Sequence, residues 1–421
     1  MKQNKTEYRP RIVDKELKNY LKVFGGVLLT GPKMCGKTWT GLHNANSAIG
    51  IDEDDNIQRA QLTPEIVLEG KYPRLIDEWQ EVPQLWDRAR RVVDRTHQRG
   101  LFIFTGSAVP ADKTRHTGTG RFVHLEMRPM SLFESGDSSG AVSLEVLFRG
   151  KAIKPFPSSL DFKKAIWLIC RGGWPASLWA AKNAALMIPG GYLKMIIESD
   201  ISRVDGIGRD PAKVELLLRS LARNSSTMAG TTVLLTDIQE HKDNAKISID
   251  TIDSYLNALA RIFIIDEQPA WMPSLRSKTR IRTTPKRHFV DPSLAAAALD
   301  AGPDLLIQDL KTAGFLFESL CYRDLCIYAE SINGKVYHYR DETNLEVDAI
   351  VQLGSGQWAA VEVKLGSFEF DNAAANLLKL KKKMQAQVQE PSFLLILTAS
   401  GGTAYTRDDG VHVVPLDCLG P

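Results

Sequence analysis

Cysteine is scarce: five residues in 421, at positions 35, 170, 321, 326 and 418, an odd number with no Cys-x-x-Cys pair. That excludes a disulfide framework and zinc-binding spacing, and a reducing compartment is the simplest setting. Long apolar runs are missing too. The longest, such as Phe393 to Leu397, are strand-sized, whereas a membrane helix needs about 20 apolar residues. Met1 to Lys22 is polar and charged, without the apolar centre of a signal peptide. The expected location is cytoplasmic. Neither sign of charge dominates: 53 Lys+Arg against 50 Asp+Glu leave +3. Only local charge can therefore speak for or against nucleic acid. There is no internal repeat and no low-complexity tract. The eight histidines stand at no metal-ligand spacing.

What is present is globular. Forty-three per cent apolar, 24% charged and 8% aromatic residues exclude wholesale disorder and a fibrous fold. The length predicts two to three domains. In the first third, strands at Gly26–Thr30, Arg74–Asp77, Leu101–Thr105 and Phe122–Leu125 alternate with helical patterns such as Val82–His97. That alternation predicts a parallel, helix-covered sheet. Ser135 to Gly140 reads as a linker. Helical patterns cover Tyr192–Ala229 and Ile247–Ala260, and Ile262–Ile265 and Arg276–Arg282 look extended. A helix at Gly314–Ala329 then precedes strands at Val336–Arg340, Leu345–Leu353 and Trp358–Leu365. A turn at Gly354-Ser355-Gly356 joins the last two. A helix at Phe370–Val388 and a strand at Pro391–Leu397 complete the order.

Gly31-Pro32-Lys33-Met34-Cys35-Gly36-Lys37-Thr38 fits G-x-x-x-x-G-K-[ST] in full, with an apolar strand before it and a helix start after it. Glycines let backbone N–H groups wrap phosphates at a helix N-terminus. Lys37 would reach the β- and γ-phosphates of ATP, and Thr38 would place its hydroxyl on Mg²⁺. Leu75-Ile76-Asp77-Glu78 is the partner signal, an apolar strand ending in two carboxylates. Asp77 would hold Mg²⁺ through water, and Glu78 would polarise the attacking water as general base.

These motifs continue into Phe104-Thr105-Gly106-Ser107 and then Gly120-Arg121-x-x-x-Leu125-x-x-Arg128-Pro129-Met130-Ser131-Leu132-x-Glu134. In order and spacing the series resembles a large bacterial and archaeal group of AAA-like ATPases whose C-terminal half is a domain of unknown function. Gly172-Gly173-Trp174-Pro175, Asp291 and Phe317-Glu318 at a helix start agree with it. The resemblance covers roughly Arg9 to Leu365, and departs from the usual pattern at Lys33-Met34-Cys35. It implies ATP binding and subunit association. By the same resemblance Ser107, or Thr105, is a candidate γ-phosphate sensor. Arg121 is a candidate arginine finger reaching a neighbouring subunit, with Arg115 and Arg128 as competitors.

A second constellation lies near the C-terminus. Asp348 sits in Leu345–Ile350, and Val361-Glu362-Val363-Lys364 follows on the next strand. Alternate strand residues share a face, so Glu362 and Lys364 point one way and Asp348 can meet them. Glu318 on the preceding helix is a plausible fourth member. This pattern resembles the PD-(D/E)xK nuclease core, including its order of helix, three strands, helix, strand. The resemblance implies that Asp348, Glu362 and Glu318 hold Mg²⁺ while Lys364 assists the attacking water. Two other readings stay open: a solvated strand face, and a nuclease-like fold that binds without cutting.

Between the two, Val214–Ala229, Leu235–His241 and Ser248–Ala260 followed by an extended stretch resemble a winged helix. The polar face of its candidate recognition helix, with Asp250, Asp253, Ser254 and Asn257, is acidic and a poor DNA reader. The candidate wing carries Arg276, Lys278, Arg280, Arg282, Lys286 and Arg287 with no acid among them. Such a strip suits phosphate contacts and sequence-independent DNA binding. Lys379, Lys381, Lys382 and Lys383 form a second basic cluster.

The expectation is an α/β protein of three parts: a P-loop (AAA-like) parallel-sheet ATPase domain over 1–140, a helical and winged-helix-like region over 141–300, and a restriction-endonuclease-like α/β domain over 301–421. Its expected function is Mg-ATP hydrolysis coupled to work on duplex or branched DNA by a homo-oligomer, in a ring arrangement or otherwise, with metal-dependent cleavage as an added activity. The alternative is a signalling or defence ATPase switch whose C-terminal domain docks a protein partner.

Overall fold

The computed structural model describes residues 8–107, 118–241, 247–273, 284–385 and 389–421. They form two compact units. The first comprises the chain up to Pro129 with Asp200–Gly208 and Arg261–Phe263; the second comprises Met130–Ser199, Arg209–Ala260 and Ile264–Pro421. Among the described residues no helix is long and apolar enough to cross a membrane.

The first unit runs α1 (Val13–Val23), β1 (Gly26–Thr30), α2 (Lys37–Asn44), β2 (Ser47–Gly50), α3 (Asp54–Leu62), α4 (Pro64–Leu68), β3 (Arg74–Asp77), α5 (Gln84–Thr96), β4 (Phe102–Gly106) and β5 (Phe122–Glu126). The five strands are parallel, in the order β2-β3-β4-β1-β5. Strand residues alternate between faces. Ile76, Phe102, Phe104 and Phe122 pack with Trp79, Leu85 and Trp86 on one side. Leu75, Ile103, Val27, Leu29 and Leu125 pack with Leu17 and Leu21 of α1 on the other. Both faces are covered, as the near-continuous apolar strands predict. The edge strand β2 is absent from the sequence reading. Its Ser-Ala-Ile-Gly is short and little buried, so it carries almost no apolar signal.

In the second unit, α6 (Leu132–Ser135), β6 (Phe156–Pro157), α7 (Phe162–Arg171) and α8 (Met187–Met195) come first. The stretch Tyr192–Ala229, helical in pattern, is divided into separate helices. Gly206 and Gly208 interrupt it, and α9 (Pro211–Arg223) starts afresh behind Asp210, whose side chain accepts from the Ala212 N–H at 2.9 Å. Next come α10 (Thr231–His241), α11 (Ile249–Arg261) and an antiparallel pair, β7 (Ile265–Gln268) and β8 (Lys286–Phe289), with Thr227 bridged to Arg287.

After α12 (Pro292–Ala298), α13 (Leu310–Glu330) begins before the expected Gly314, capped by Asp309. Phe317 and Glu318 therefore lie well inside the helix rather than at its start. Then follow β9 (Gly334–Arg340), β10 (Glu346–Leu353), β11 (Trp358–Lys364), α14 (Phe370–Met384), β12 (Leu394–Thr398), β13 (Thr403–Thr406) and β14 (His412–Pro415). Their sheet has the order β9-β10-β11-β12-β14-β13-β6. The β9–β10–β11 meander is antiparallel, and β12 joins β11 in parallel. Leu377, Leu380 and Met384 of α14 pack on Val347, Trp358, Ala360, Leu394 and Ile396. The helix, three strands, helix, strand order expected here is formed.

One buried guanidinium organises this unit. Arg323 of α13, 2% exposed, lies 2.7 Å from Asp291 and 2.7 Å from Asp324, whose side chains are fully buried. Asp291 also accepts from the Gly173 N–H at 2.9 Å and caps α12 through the Ser293 N–H at 3.0 Å. Asp324 accepts from the Leu132 N–H at 2.9 Å. The Gly173 carbonyl accepts from Met130 N–H at 2.7 Å, and a Cβ on Gly173 would fall 2.1 Å from the Met130 oxygen. Trp174 Nε1 donates to Ser293 at 2.9 Å. So the Gly-Gly-Trp-Pro, Met-Ser-Leu-x-Glu and Asp291 marks meet at one charge network. Removing the cation strands two buried carboxylates, which costs about 3–5 kcal/mol. Arg323→Met is expected to lower unfolding free energy by about that much, read by urea denaturation with tryptophan fluorescence. The triple change Arg323→Met, Asp291→Asn, Asp324→Asn should recover part of it. A loss within about 0.5 kcal/mol, the level of an ordinary surface change, would contradict the role given to Arg323.

Candidate functional site

β1 ends at Thr30, and the chain turns at Gly31 (φ 145°) and Gly36 (φ 106°) into α2. A Cβ on Gly31 would lie 2.1 Å from the Met127 carbonyl oxygen, so only glycine fits. The loop opens onto a helix N-terminus, where N–H groups and the dipole favour an anion. Lys37 is buried and lies over the loop, its Nζ donating to the carbonyls of Gly31 (3.0 Å) and Pro32 (2.8 Å). Arg11, unforeseen from sequence, ties the loop down: Nη1 donates to the Cys35 carbonyl and Nη2 to that of Arg128, each at 2.8 Å. Lys33 pairs with Asp200 at 2.7 Å, and Cys35 is buried.

The strand order puts β4 between β1 and β3, so Thr105 stands between the phosphate loop and Asp77. Thr38 Oγ1 donates to Asp77 Oδ1 at 3.1 Å, and Thr105 Oγ1 donates to the same oxygen. Burial raises the Asp77 pKa, and those two donors oppose it. Glu78 adopts a left-handed backbone (φ 51°), accepts from Gln80 Nε2, and has its pKa raised by burial. Thr38 and Asp77 are adjoining hard oxygen donors, the set Mg²⁺ takes beside a nucleotide. They fit that ion, and Gly31, Pro32, Lys33, Met34, Cys35, Gly36, Lys37 and Thr38 would hold the phosphates.

Of the two sensor candidates, Thr105 touches Asp77; Ser107 is buried just beyond the strand end. Arg121 precedes Phe122, which is in register with Gly26. It therefore sits at the sheet end opposite the loop, its Nε 2.8 Å from Asp94 of its own chain. Arg128 lies at the loop end, 3.5 Å from Glu126. Arg115 lies outside the described residues.

In the second unit Asp348, Glu362, Lys364 and Glu318 do converge. Lys364 Nζ is 2.7 Å from Glu362 and 3.5 Å from Asp348. The Val363 N–H donates to Asp348 Oδ2 at 2.8 Å, and Asn376 Nδ2 donates to Glu362 at 2.6 Å. Burial pushes the Glu362 pKa up to about 7, helped by Asp348, and burial pushes Glu318 up to about 8. At Asp348 burial acts upward, but Lys364, Lys286 and the Val363 N–H outweigh it and its pKa falls.

Lys286 corrects the sequence reading. It was expected on an exposed basic strip, yet it is 2% exposed. Its Nζ lies 2.8 Å from Glu318, 3.1 Å from Glu346 and 3.7 Å from Asp348. Arg287 points the other way, 3.0 Å from Glu267 across the hairpin, and donates to the Ala229 carbonyl at 2.8 Å. Arg276, Lys278, Arg280 and Arg282 lie outside the described residues. In the second basic cluster, Lys381 and Lys383 pair with Glu390 and Asp341. The strand alternation held the missed signal: Lys286 shares a face with His288, which is buried against Ser319, the neighbour of Glu318.

Asp348, Glu362 and Glu318 do not fit the three-carboxylate metal centre expected of them. Among the described residues no three His, Cys, Asp or Glu side chains are grouped to hold a metal ion. The ammonium groups of Lys286 and Lys364 stand between the carboxylates.

One family model agrees with the geometry of the first unit. Residues 24–135 match a model described as AAA domain. Residues 163–305 match a domain of unknown function (DUF8612), and residues 313–419 another (DUF4143). Uncharacterised proteins of Mycobacterium bovis (Mb2031c) and Mycobacterium tuberculosis (Rv2008c) are each 24% identical over 345 residues, 80% of this chain and 70% of theirs. Among solved structures, the Walker-type ATPase PABY2304 of Pyrococcus abyssi is 13% identical with a TM-score of 0.39, over 70% of this chain and 99% of that one. A RuvB variant of Thermotoga maritima is 17% identical with a TM-score of 0.27, over 61% and 89%.

Thr105→Val keeps the side-chain shape and removes one donor from Asp77. A hydrogen bond to a charged group spans about 1.5–3 kcal/mol. ATP turnover is expected to fall about ten- to a hundredfold with KM little changed, read by steady-state phosphate release. Ser107→Ala should be the milder change; the reverse ranking would return the sensor role to Ser107.

Proposed function

We propose that this chain, whose first unit carries a P-loop, AAA-type ATPase-like domain, hydrolyses ATP with Mg²⁺ and spends its turnover on DNA, as a homo-oligomer that remodels or moves along duplex or branched DNA. One observation carries the hydrolase reading: Thr38 and Thr105 both donate to Asp77 directly behind the phosphate loop, with Glu78 next in the chain.

Each residue then has a task. The loop N–H groups bind and orient the phosphates. Lys37 is close enough to exchange its two carbonyls for phosphate oxygens. Thr38 and Asp77 would hold Mg²⁺, which when bound offsets phosphate charge. Glu78, whose burial raises its proton affinity, takes a proton from the attacking water. Arg121, with Arg128 as the competitor, is the proposed finger offered to a neighbouring subunit.

Two features support DNA as the substrate. Helices α9, α10 and α11 followed by the β7–β8 pair, with Thr227 bridged to β8, follow the order of a winged helix. The α13, β9–β11, α14, β12 series follows the order of the PD-(D/E)xK core. No cutting step is assigned to the second unit, because lysines hold its carboxylates. One observation favours the switch reading instead: Asp250, Asp253, Ser254 and Asn257 of α11 are exposed, a polar face whose only charges are the two aspartates and one suited to a protein partner.

The deciding experiment is ATP turnover with and without duplex and branched DNA at several salt concentrations. Turnover stimulated by DNA, fading as salt rises, is expected, and Lys37→Ala should abolish it. Turnover indifferent to every DNA would move the function to a partner-controlled switch. Unchanged turnover in Lys37→Ala would sink the hydrolase reading itself.

A further inference from the structure

The carboxylates of the second unit already have a cation. Lys364 belongs to the strand motif, but Lys286 arrives from outside it, on β8, and its ammonium is held by Glu318, Glu346 and Asp348. A lysine this deeply buried needs such partners. Its strand is pinned in place two residues on, where His288 is hydrogen-bonded to Ser319 and Gln268, each at 3.0 Å.

The oxygens are taken one by one. Asp348 has Lys286 on Oδ1, and Lys364 with the Val363 N–H on Oδ2. Glu362 has Asn376 on one oxygen and Lys364 on the other. Lys286 holds Oε1 of Glu318. Four carboxylates face two ammonium groups, so the pull toward further positive charge remains while Lys286 stands among an oxygen each of Glu318, Glu346 and Asp348.

Resting on the nuclease-like reading of this site, we propose that Lys286 is its resident cation and bars a divalent metal from it. Mg²⁺ or Mn²⁺ enters only in exchange for the Lys286 ammonium between Glu318 and Asp348, so metal loading and the seating of β8 against α13 are linked. Linkage is reciprocal: whatever draws β8 away favours metal, and metal favours release of Lys286.

The test is Mn²⁺ binding to the nucleotide-free full chain, followed by electron paramagnetic resonance. It compares wild type, Lys286→Met, Lys286→Arg and each with Asp348→Ala. Lys286→Met is expected to gain binding about tenfold tighter than wild type, with the gain lost on Asp348→Ala, while Lys286→Arg stays like wild type. Equal Asp348-dependent binding in wild type and Lys286→Met overturns the barrier and leaves the metal site standing. If no variant shows Asp348-dependent binding, the nuclease-like reading of this site falls and the proposal with it. A second measurement needs no variant: acetylation of Lys286 in wild type, read by mass spectrometry, should be slow in EDTA and faster in saturating Mn²⁺. Unchanged protection while Asp348-dependent Mn²⁺ is bound also overturns the proposal.

Discussion

The second unit depends on one buried cation. Arg323 lies in the middle of α13, and its guanidinium is shared by Asp291 and Asp324. Neither carboxylate serves Arg323 alone. Asp291 fixes the glycine pair at 172–173 and the start of α12. Asp324 fixes the backbone entering α6, where Ser131 and Glu134 complete a capping box. Segments far apart in sequence are thus positioned by the hydrogen-bonding capacity of three side chains. Such a network is a poor source of net stability, since desolvation offsets much of the attraction. Its strength is intolerance: losing Arg323 leaves two buried carboxylates, and losing either aspartate leaves guanidinium and backbone donors without an acceptor. A chain with this centre has few ways to misplace α13, and α13 carries Glu318 to the carboxylate site.

Much of the fold was legible because its signals are local. The apolar strands of the first unit, the helix-strand alternation and the β10–β11 hairpin all follow from periodicity within ten or so residues. The phosphate loop was legible for a stronger reason: phosphate binding needs its glycines, lysine and threonine contiguous. Asp348, Glu362 and Lys364 were legible because a hairpin fixes which residues of adjacent strands face each other.

What escaped was set by tertiary position. Strand order, not sequence, puts Thr105 against Asp77 and leaves Ser107 beyond it. Arg11 reaches the loop from the segment before α1. Lys286 was misread for a physical reason. Six positive residues in a short stretch suggest a solvated strip, and burying a lysine is costly unless acids wait for it. Those acids lie 32 to 62 residues further along. The lone cue was alternation with His288, which turns one basic residue inward and sends Arg287 out.

The acidic centres at Asp77 and Asp348 differ in the chemistry of their donors. Asp77 is approached by hydroxyl groups. A hydroxyl satisfies a buried carboxylate without cancelling its charge, and its own oxygen can serve as a ligand, so the site keeps both its negative charge and its donor atoms for a cation. Asp348 is approached by ammonium groups, which cancel charge and bring no lone pair. Burial raises proton affinity at Asp77 and Glu78, as at Glu318 and Glu362, so desolvation alone does not distinguish the centres. The neighbours do: threonines leave a carboxylate ready for a metal ion, and lysines stand in for one.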